Sequence, residues 1–344
     1  MTRAMFGGKR EFLAAGLYLT RVESLLSQMP ARDSLLVLNY HRIGNPENDL
    51  FDPGVFSATG DQLNEQIAYL KRNVSLVTLE EALAFVGGTL KDKTPQCRVL
   101  LTFDDGYLDN YLVAFPILRS HGAPGVFFLA TGMVGSCCVP WWDHIAFVMK
   151  TARRRRFSLH YPGVLSVDLV KDGMRRTLRD VLRLCKKPGN VDSKRFIQEL
   201  KEAARGDDLP ECPRRFLNWE EAREMIAGGM AIGSHTHSHA VLTQLESAQQ
   251  KHDLSRSRLL LKENLDIEAD VLAYPVGAQT SISDQAQQSA REVGYRAAFS
   301  AYGGTNLTGV TQPYDIKRVS VSLQSSIRFR VSSGICRITG RYWP

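Results

Sequence analysis

Apolar positions along this chain come in short runs, separated by longer stretches of helical periodicity. Runs ending in polar residues occupy 34–41 (SLLVLNYH), 97–103 (CRVLLTF), 125–131 (GVFFLAT), 230–235 (MAIGSH), 270–277 (DVLAYPVG) and 296–300 (RAAFS), with a shorter one at 74–78 (VSLVT). Helical spacing fills 59–72, 79–88, where two glycines close the pattern, 107–121, 242–265 and 282–293. Strands that alternate with helices predict an α/β fold with a mostly parallel sheet. About seven such units predict a barrel, a fold whose functional residues gather at the C-terminal ends of the strands.

The rhythm breaks over residues 131–229, which read as a long insertion covering the barrel mouth. The barrel domain with this insertion is expected over 34–325, followed by a C-terminal extension over 326–344. Residues 1–33 form an N-terminal segment in which Phe12, Leu13, Leu17, Leu25 and Leu26 make a helical stripe among basic residues. Packing on the domain is the plainer role for that stripe; lying on an anionic membrane surface is the sharper one. Lys9 and Arg10 precede an apolar run that is too short for a secretory signal and lacks a prompt cleavage site. No stretch has the ~20 apolar residues of a spanning helix.

Composition narrows this further. With 44% hydrophobic and 23% charged residues, the chain is an ordinary globular sequence. Its net charge of +7 favours anionic surroundings, but no aromatic-interleaved basic stripe points to nucleic acid. The run Arg153-Arg154-Arg155-Arg156 is expected to be a solvated face, with an anionic glycan, lipid phosphate or membrane surface as the alternative. Six scattered cysteines form no C-x-x-C pair, which fits reduced thiols in the cytoplasm, at most peripheral to the inner membrane face.

Two segments carry candidate chemistry. Asp104 and Asp105 close a predicted strand, where burying two carboxylates requires partners. His235, His237 and His239 follow another predicted strand end. In a helical turn, His235 and His239 at i and i+4 share a face and could grip one ion, while His237 points elsewhere. A carboxylate with two histidines is a frequent divalent-metal set with positions left open. One aspartate of the pair can complete it, and the other then suits a base acting on water.

TFDDG followed downstream by His-Thr-x-x-His resembles the polysaccharide deacetylase family, carbohydrate esterases of the NodB-homology type that include chitooligosaccharide and peptidoglycan deacetylases. FDDGYLDNY, GVFFLATG, GSHTHSHAVLT and AYPVG occur in the family's order, and the resemblance implies the family's irregular (β/α)7-type barrel, in agreement with the strand count. LNYHRIGNP and PWWDHIAF further resemble a bacterial branch found with exopolysaccharide biosynthesis and exosortase-linked clusters. The resemblance implies that Asp105, His235 and His239 bind a divalent metal, zinc first and cobalt or manganese as alternatives, and that Asp104 is the catalytic base. The family's usual Leu-x-His acid near the C-terminus is absent. A permuted subgroup draws that histidine from a Tyr-His pair in the first strand, which makes His41 the candidate acid; capping the strand end is its plainer role.

Two departures stand out. Where many members have Arg-Pro-Pro-Tyr-Gly, this chain has Ala273-Tyr274-Pro275-Val276-Gly277. Val276 can still offer the backbone N–H that serves the oxyanion. The arginine that orients the aspartate is missing at Ala273, leaving Arg318 or Arg42 to replace it. Tyr40, Tyr107, Trp141, Trp142 and Tyr274 are candidates for a sugar-stacking wall. The expected activity is N-deacetylation of an N-acetylated glycan or lipid-linked oligosaccharide. An O-acetyl esterase or non-sugar amidohydrolase is the runner-up, and a non-catalytic glycan-binding protein the third reading.

Overall fold

The structure, a computed structural model, describes residues 29, 31–47, 49–90, 94–186 and 191–339; the N-terminal stripe from Phe12 to Leu26 lies outside them. Seven strands build a barrel: β1 Ser34–Tyr40, β2 Cys97–Phe103, β3 Val126–Leu129, β4 Ala231–Ser234, β5 Val271–Ala273, β6 Ala297–Phe299 and β7 Arg318–Ser320. They pair in the order β6-β5-β4-β3-β2-β1-β7, all parallel. A bridge between Phe299 and Ile316 draws the two edges together. The expected strand at 74–78 shrinks to Ser75–Leu76 on the outside of β2.

Local chemistry sets the helix boundaries. Thr59 with Gln62, and Thr78 with Glu81, form capping boxes that start the helices Gly60–Asn73 and Leu79–Val86. The element expected over 107–121 is a π-turn at Asn110–Ala114 leading into a helix at Phe115–His121. Pro116 has no N–H with which to close an ordinary turn there. The stretch 242–265 divides into a short turn at Leu242–Gln244 and the helix Ser247–Leu265.

Alternation within the strands decides what the barrel encloses. Leu35 and Val37 cluster with Leu100, Phe128, Val271 and Phe299, drawn from strands all round the barrel. Leu36, Leu38 and Tyr40 instead join the cluster beneath the surrounding helices. The interior rows are therefore Leu35-Val37-Asn39 and Leu100-Thr102-Asp104, apolar below and polar above. Arg318 is in register with Val37 and belongs to the same inner layer.

Of the expected insertion over 131–229, residues 141–204 build a second core over the mouth, whereas the helix Trp219–Ala227 packs on the barrel's main core through Ala222 and Met225. The helices Trp141–Lys150, Met174–Cys185 and Ser193–Ala204 pack with the antiparallel hairpin Arg156–Leu159 and Leu165–Asp168 around Ile145, Leu159, Val181 and Phe196. The arginine run lies exposed on this cap, with Arg153 paired to Asp207 and Arg156 to Asp168. The segment expected to be a C-terminal extension forms the helix Ser326–Thr339, which packs on Gly60–Asn73 and contributes Phe329 and Cys336 to the main core. It belongs to the outer layer of the barrel rather than to an appendage. No helix among the described residues is long and apolar enough to cross a membrane.

Candidate active site

The polar strand ends converge at one mouth. His41 follows β1, Asp104 and Asp105 follow β2, His235 and His239 follow β4, and Tyr274 and Val276 follow β5. Together with Asn39, Trp141 and Trp142 they line a pocket of about 90 Å³. Arg318 lies just inside. Its Nη1 donates to Asp104 Oδ1 at 2.7 Å and its Nη2 to Asp104 Oδ2 at 2.9 Å. Both side chains are fully buried. Burial alone would raise the Asp104 carboxyl, but the Arg318 guanidinium overrides it and holds the group below its usual range.

Asp105 adopts a left-handed backbone with φ 75°, an uncommon and strained state for a non-glycine residue. Gly106 continues it at φ 77°, and a Cβ there would approach the Leu129 side chain to 2.8 Å. This turn brings the Asp105 carboxylate to the histidines. The His235–His239 segment is not the helical turn that its spacing implied: Thr236 (φ 65°) and His239 (φ 55°) fold it into a tight loop. Asp253 holds that loop, accepting from the His237 N–H at 2.7 Å, the Ser238 N–H at 3.1 Å and the Ser238 hydroxyl.

Asp105 Oδ1 lies 3.1 Å from His239 Nε2 and 3.4 Å from His235 Nε2. It is nonetheless buried without a well-formed hydrogen bond. A tetrahedral zinc with ~2.1 Å bonds keeps its donors about 3.4 Å apart, so these three atoms fit a divalent ion. His235 Nδ1 is 2.7 Å from the Ala273 carbonyl, which can only accept, so the Nε2 lone pair faces Asp105. Burial depresses His239, which keeps it neutral as a ligand must be; at His235 burial is outweighed by Asp104 and Asp105, and the group is raised. Burial opposes ionisation of Asp105 too, but the two imidazoles hold it well below the carboxylate range. The donor set suits a cation. Among the described residues it is also the one cluster of His, Cys, Asp and Glu in ligand geometry.

A sequence profile of the polysaccharide deacetylases matches residues 91–298, more than half of the chain, from before β2 into β6. The chain belongs to the polysaccharide deacetylase family. Over 109 residues it is 35% identical to the poly-β-1,6-N-acetyl-D-glucosamine N-deacetylase of Escherichia coli K12; the match takes in 30% of this chain and 15% of that relative. IcaB from Ammonifex degensii shares the fold with a TM-score of 0.57 at 21% identity, covering 88% of this chain and 97% of that one. The Streptococcus pyogenes deacetylase PplD, solved with acetate, gives 0.54 at 19% identity, with coverages of 86% and 94%.

Within this deacetylase barrel the expected residues divide. Arg318, not Arg42, clamps Asp104; Arg42 is engaged by Asp49 and Asp109. His237 turns away, its Nδ1 3.1 Å from the Thr131 hydroxyl. Tyr40 is no sugar wall. Its place in β1 points it outward, where its hydroxyl donates to Gln66 and its ring stacks on Phe103. Tyr107 is also buried, stacked on Phe216 and accepting from Trp142 Nε1 at 2.9 Å; it positions Trp142 and does not line the pocket. The Trp142 ring lies 4.5 Å from the His239 ring, centroid to centroid. Tyr274 lines the pocket but is almost fully buried, its hydroxyl donating to the Tyr314 carbonyl. Val276 carries φ 64°, and among the described residues no acceptor takes its N–H. Sequence reasoning missed Asn39, an acceptor for Arg318 that two-residue alternation marks as interior, and Asp253, which had no signal within its helix.

Proposed function

We propose that this chain is a metal-dependent hydrolase that removes N-acetyl groups from a GlcNAc-type glycan during exopolysaccharide biosynthesis. The observation that carries the reading is the Asp105–His235–His239 cluster beside an aspartate held at both oxygens by Arg318. The polysaccharide-directed names of the relatives support the substrate class. Asp105, His235 and His239 would hold the ion, zinc first and cobalt or manganese as alternatives, which when bound acidifies water toward pKa ~7 and polarises the acetyl carbonyl.

The chain's own groups do the rest. Asp104, kept ionised by Arg318, accepts the proton of the attacking water. The Val276 N–H donates to the oxyanion that develops on the acetyl oxygen. His41, which follows β1 and lines the same pocket, protonates the departing amine, and acetate leaves. Trp141 and Trp142 offer aromatic faces to the sugar ring. Six free cysteines support a reducing, cytoplasmic setting.

Acetate release from paired N- and O-acetylated oligosaccharides tests the reading. Turnover of the N-acetyl substrates should vanish on chelation and return with zinc. Metal content should be lost in His239→Ala and kept in His237→Ala. Release from O-acetyl substrates alone would overturn the amide assignment.

A further inference from the structure

The pocket continues past its mouth. Asp52 and Lys186 line it and also line a second groove of about 670 Å³. One wall of this groove is the cap helix Met174–Cys185; the other is built from Pro46, residues 52–54, Phe56, Ser322 and Leu323. On the helix Arg175, Arg179 and Arg183 are four apart and share a face, and Lys186 continues the row. All four are exposed, above a buried floor of Leu178 and Leu182. Arg183 reaches Asp180 at the surface and Lys186 feels the charge of Asp52; among the described residues no carboxylate forms an ion pair with Arg175 or Arg179. Asp52 is the one acid lining the groove, and its carboxylate is tied to the Gly54 N–H. Residues 151–186 carry ten basic and three acidic side chains, so this part of the cap holds a surplus of seven, equal to the +7 of the whole chain.

We propose that this groove is a subsite for an acidic glycan, taking sugar carboxylates that flank the N-acetylated residue in the pocket. The proposal deepens the deacetylase reading and rests on it. A compact diphosphate would need its cations gathered at one point. Here they are spread one per helical turn over about 16 Å, at 1.5 Å per residue, which matches charge repeated along a polymer. Arginine's fork pairs with carboxylates bidentately, and the leucine floor meets the apolar faces of the sugars.

The test compares oligosaccharides of alternating N-acetylglucosamine and glucuronic acid with neutral N-acetylglucosamine oligomers of equal length. Direct binding to the zinc-loaded full chain is measured alongside acetate release. Wild type should bind the acidic series at least ~10-fold more tightly, with the preference fading as salt shortens the ~10 Å screening length of 0.1 M buffer. Arg179→Glu with Arg183→Glu should abolish the preference, whereas Arg179→Lys should largely keep it. Arg153→Glu, the same charge change outside the groove, should leave it intact. Equal affinity for the two series in wild type overturns the proposal, as does an equal loss in Arg153→Glu. So does binding that is confined to phosphatidylglycerol vesicles. If no glycan releases acetate while the acidic series still binds through Arg179 and Arg183, the subsite stands and the deacetylase reading fails.

Discussion

At the scale of single residues, the Asp104–Asp105 pair shows how two neighbours of one type acquire different work. Asp104 ends an interior row of β2 and meets Arg318, which fixes both oxygens. Asp105 follows through a left-handed turn and meets the imidazoles. Asp104→Asn should therefore retain zinc and the fold while losing at least ~10²-fold in turnover, the scale of a lost general base. Metal analysis beside acetate release checks this, and loss of zinc would mean that the two roles are exchanged. His41 continues the interior row of β1 into the pocket. Expelling an amine needs a proton, whereas an activated ester's leaving group does not. His41→Ala should accordingly lower the rate on an N-acetyl amide by ~10²-fold or more and barely alter that on a p-nitrophenyl acetate-type ester. Equal losses on both would leave His41 a structural residue. The residues of this site were legible because their types and strand-end positions are local signals. The backbone that aims them was not: Thr236 and His239 in left-handed conformations give no signature in residue type, and the i, i+4 spacing pointed to a helix instead.

At the scale of elements, two-residue alternation accounts for both a success and an error. It places Asn39, Thr102 and Asp104 in the barrel beside Arg318, so the clamp could be read by carrying the period through β1, β2 and β7. The same period sends Tyr40 outward, and treating it as a pocket wall overlooked that parity. Helix Ser247–Leu265 acts on the site from behind, because Asp253 holds the loop that carries His239. Asp253→Ala touches no candidate ligand, yet it should weaken zinc affinity by about 10- to 100-fold, the usual scale for groups supporting ligands. Competition with a chromophoric chelator measures this. Unchanged affinity would show that Thr236 and Ser238 shape the loop unaided.

At the scale of the whole molecule, barrel and cap are two cores joined at a buried polar seam. The insertion was legible as a break in the strand rhythm, but not as a packed unit, because its contacts join segments whose spacing in sequence follows no period. Asp143 lies in the seam. It accepts from Arg215 at 2.8 Å, from the Asp52 N–H at 3.1 Å and from the Tyr107 hydroxyl at 3.3 Å. These contacts favour the carboxylate, yet burial outweighs them and raises the group to about 6. The sign of the consequence follows from linkage. A carboxyl that holds its proton more tightly folded than unfolded contributes fully at pH below the unfolded value, near 4. That contribution is lost as pH rises through about 6. Asp143→Asn, neutral throughout, removes this titration. The stability of wild type minus that of Asp143→Asn should therefore fall by on the order of 2–3 kcal/mol between pH 4 and pH 7. Denaturant midpoints of the two proteins across that range provide the measurement. A difference that rises with pH would mean that Arg215 dominates the seam and that Asp143 is ionised at every pH where the cap is docked.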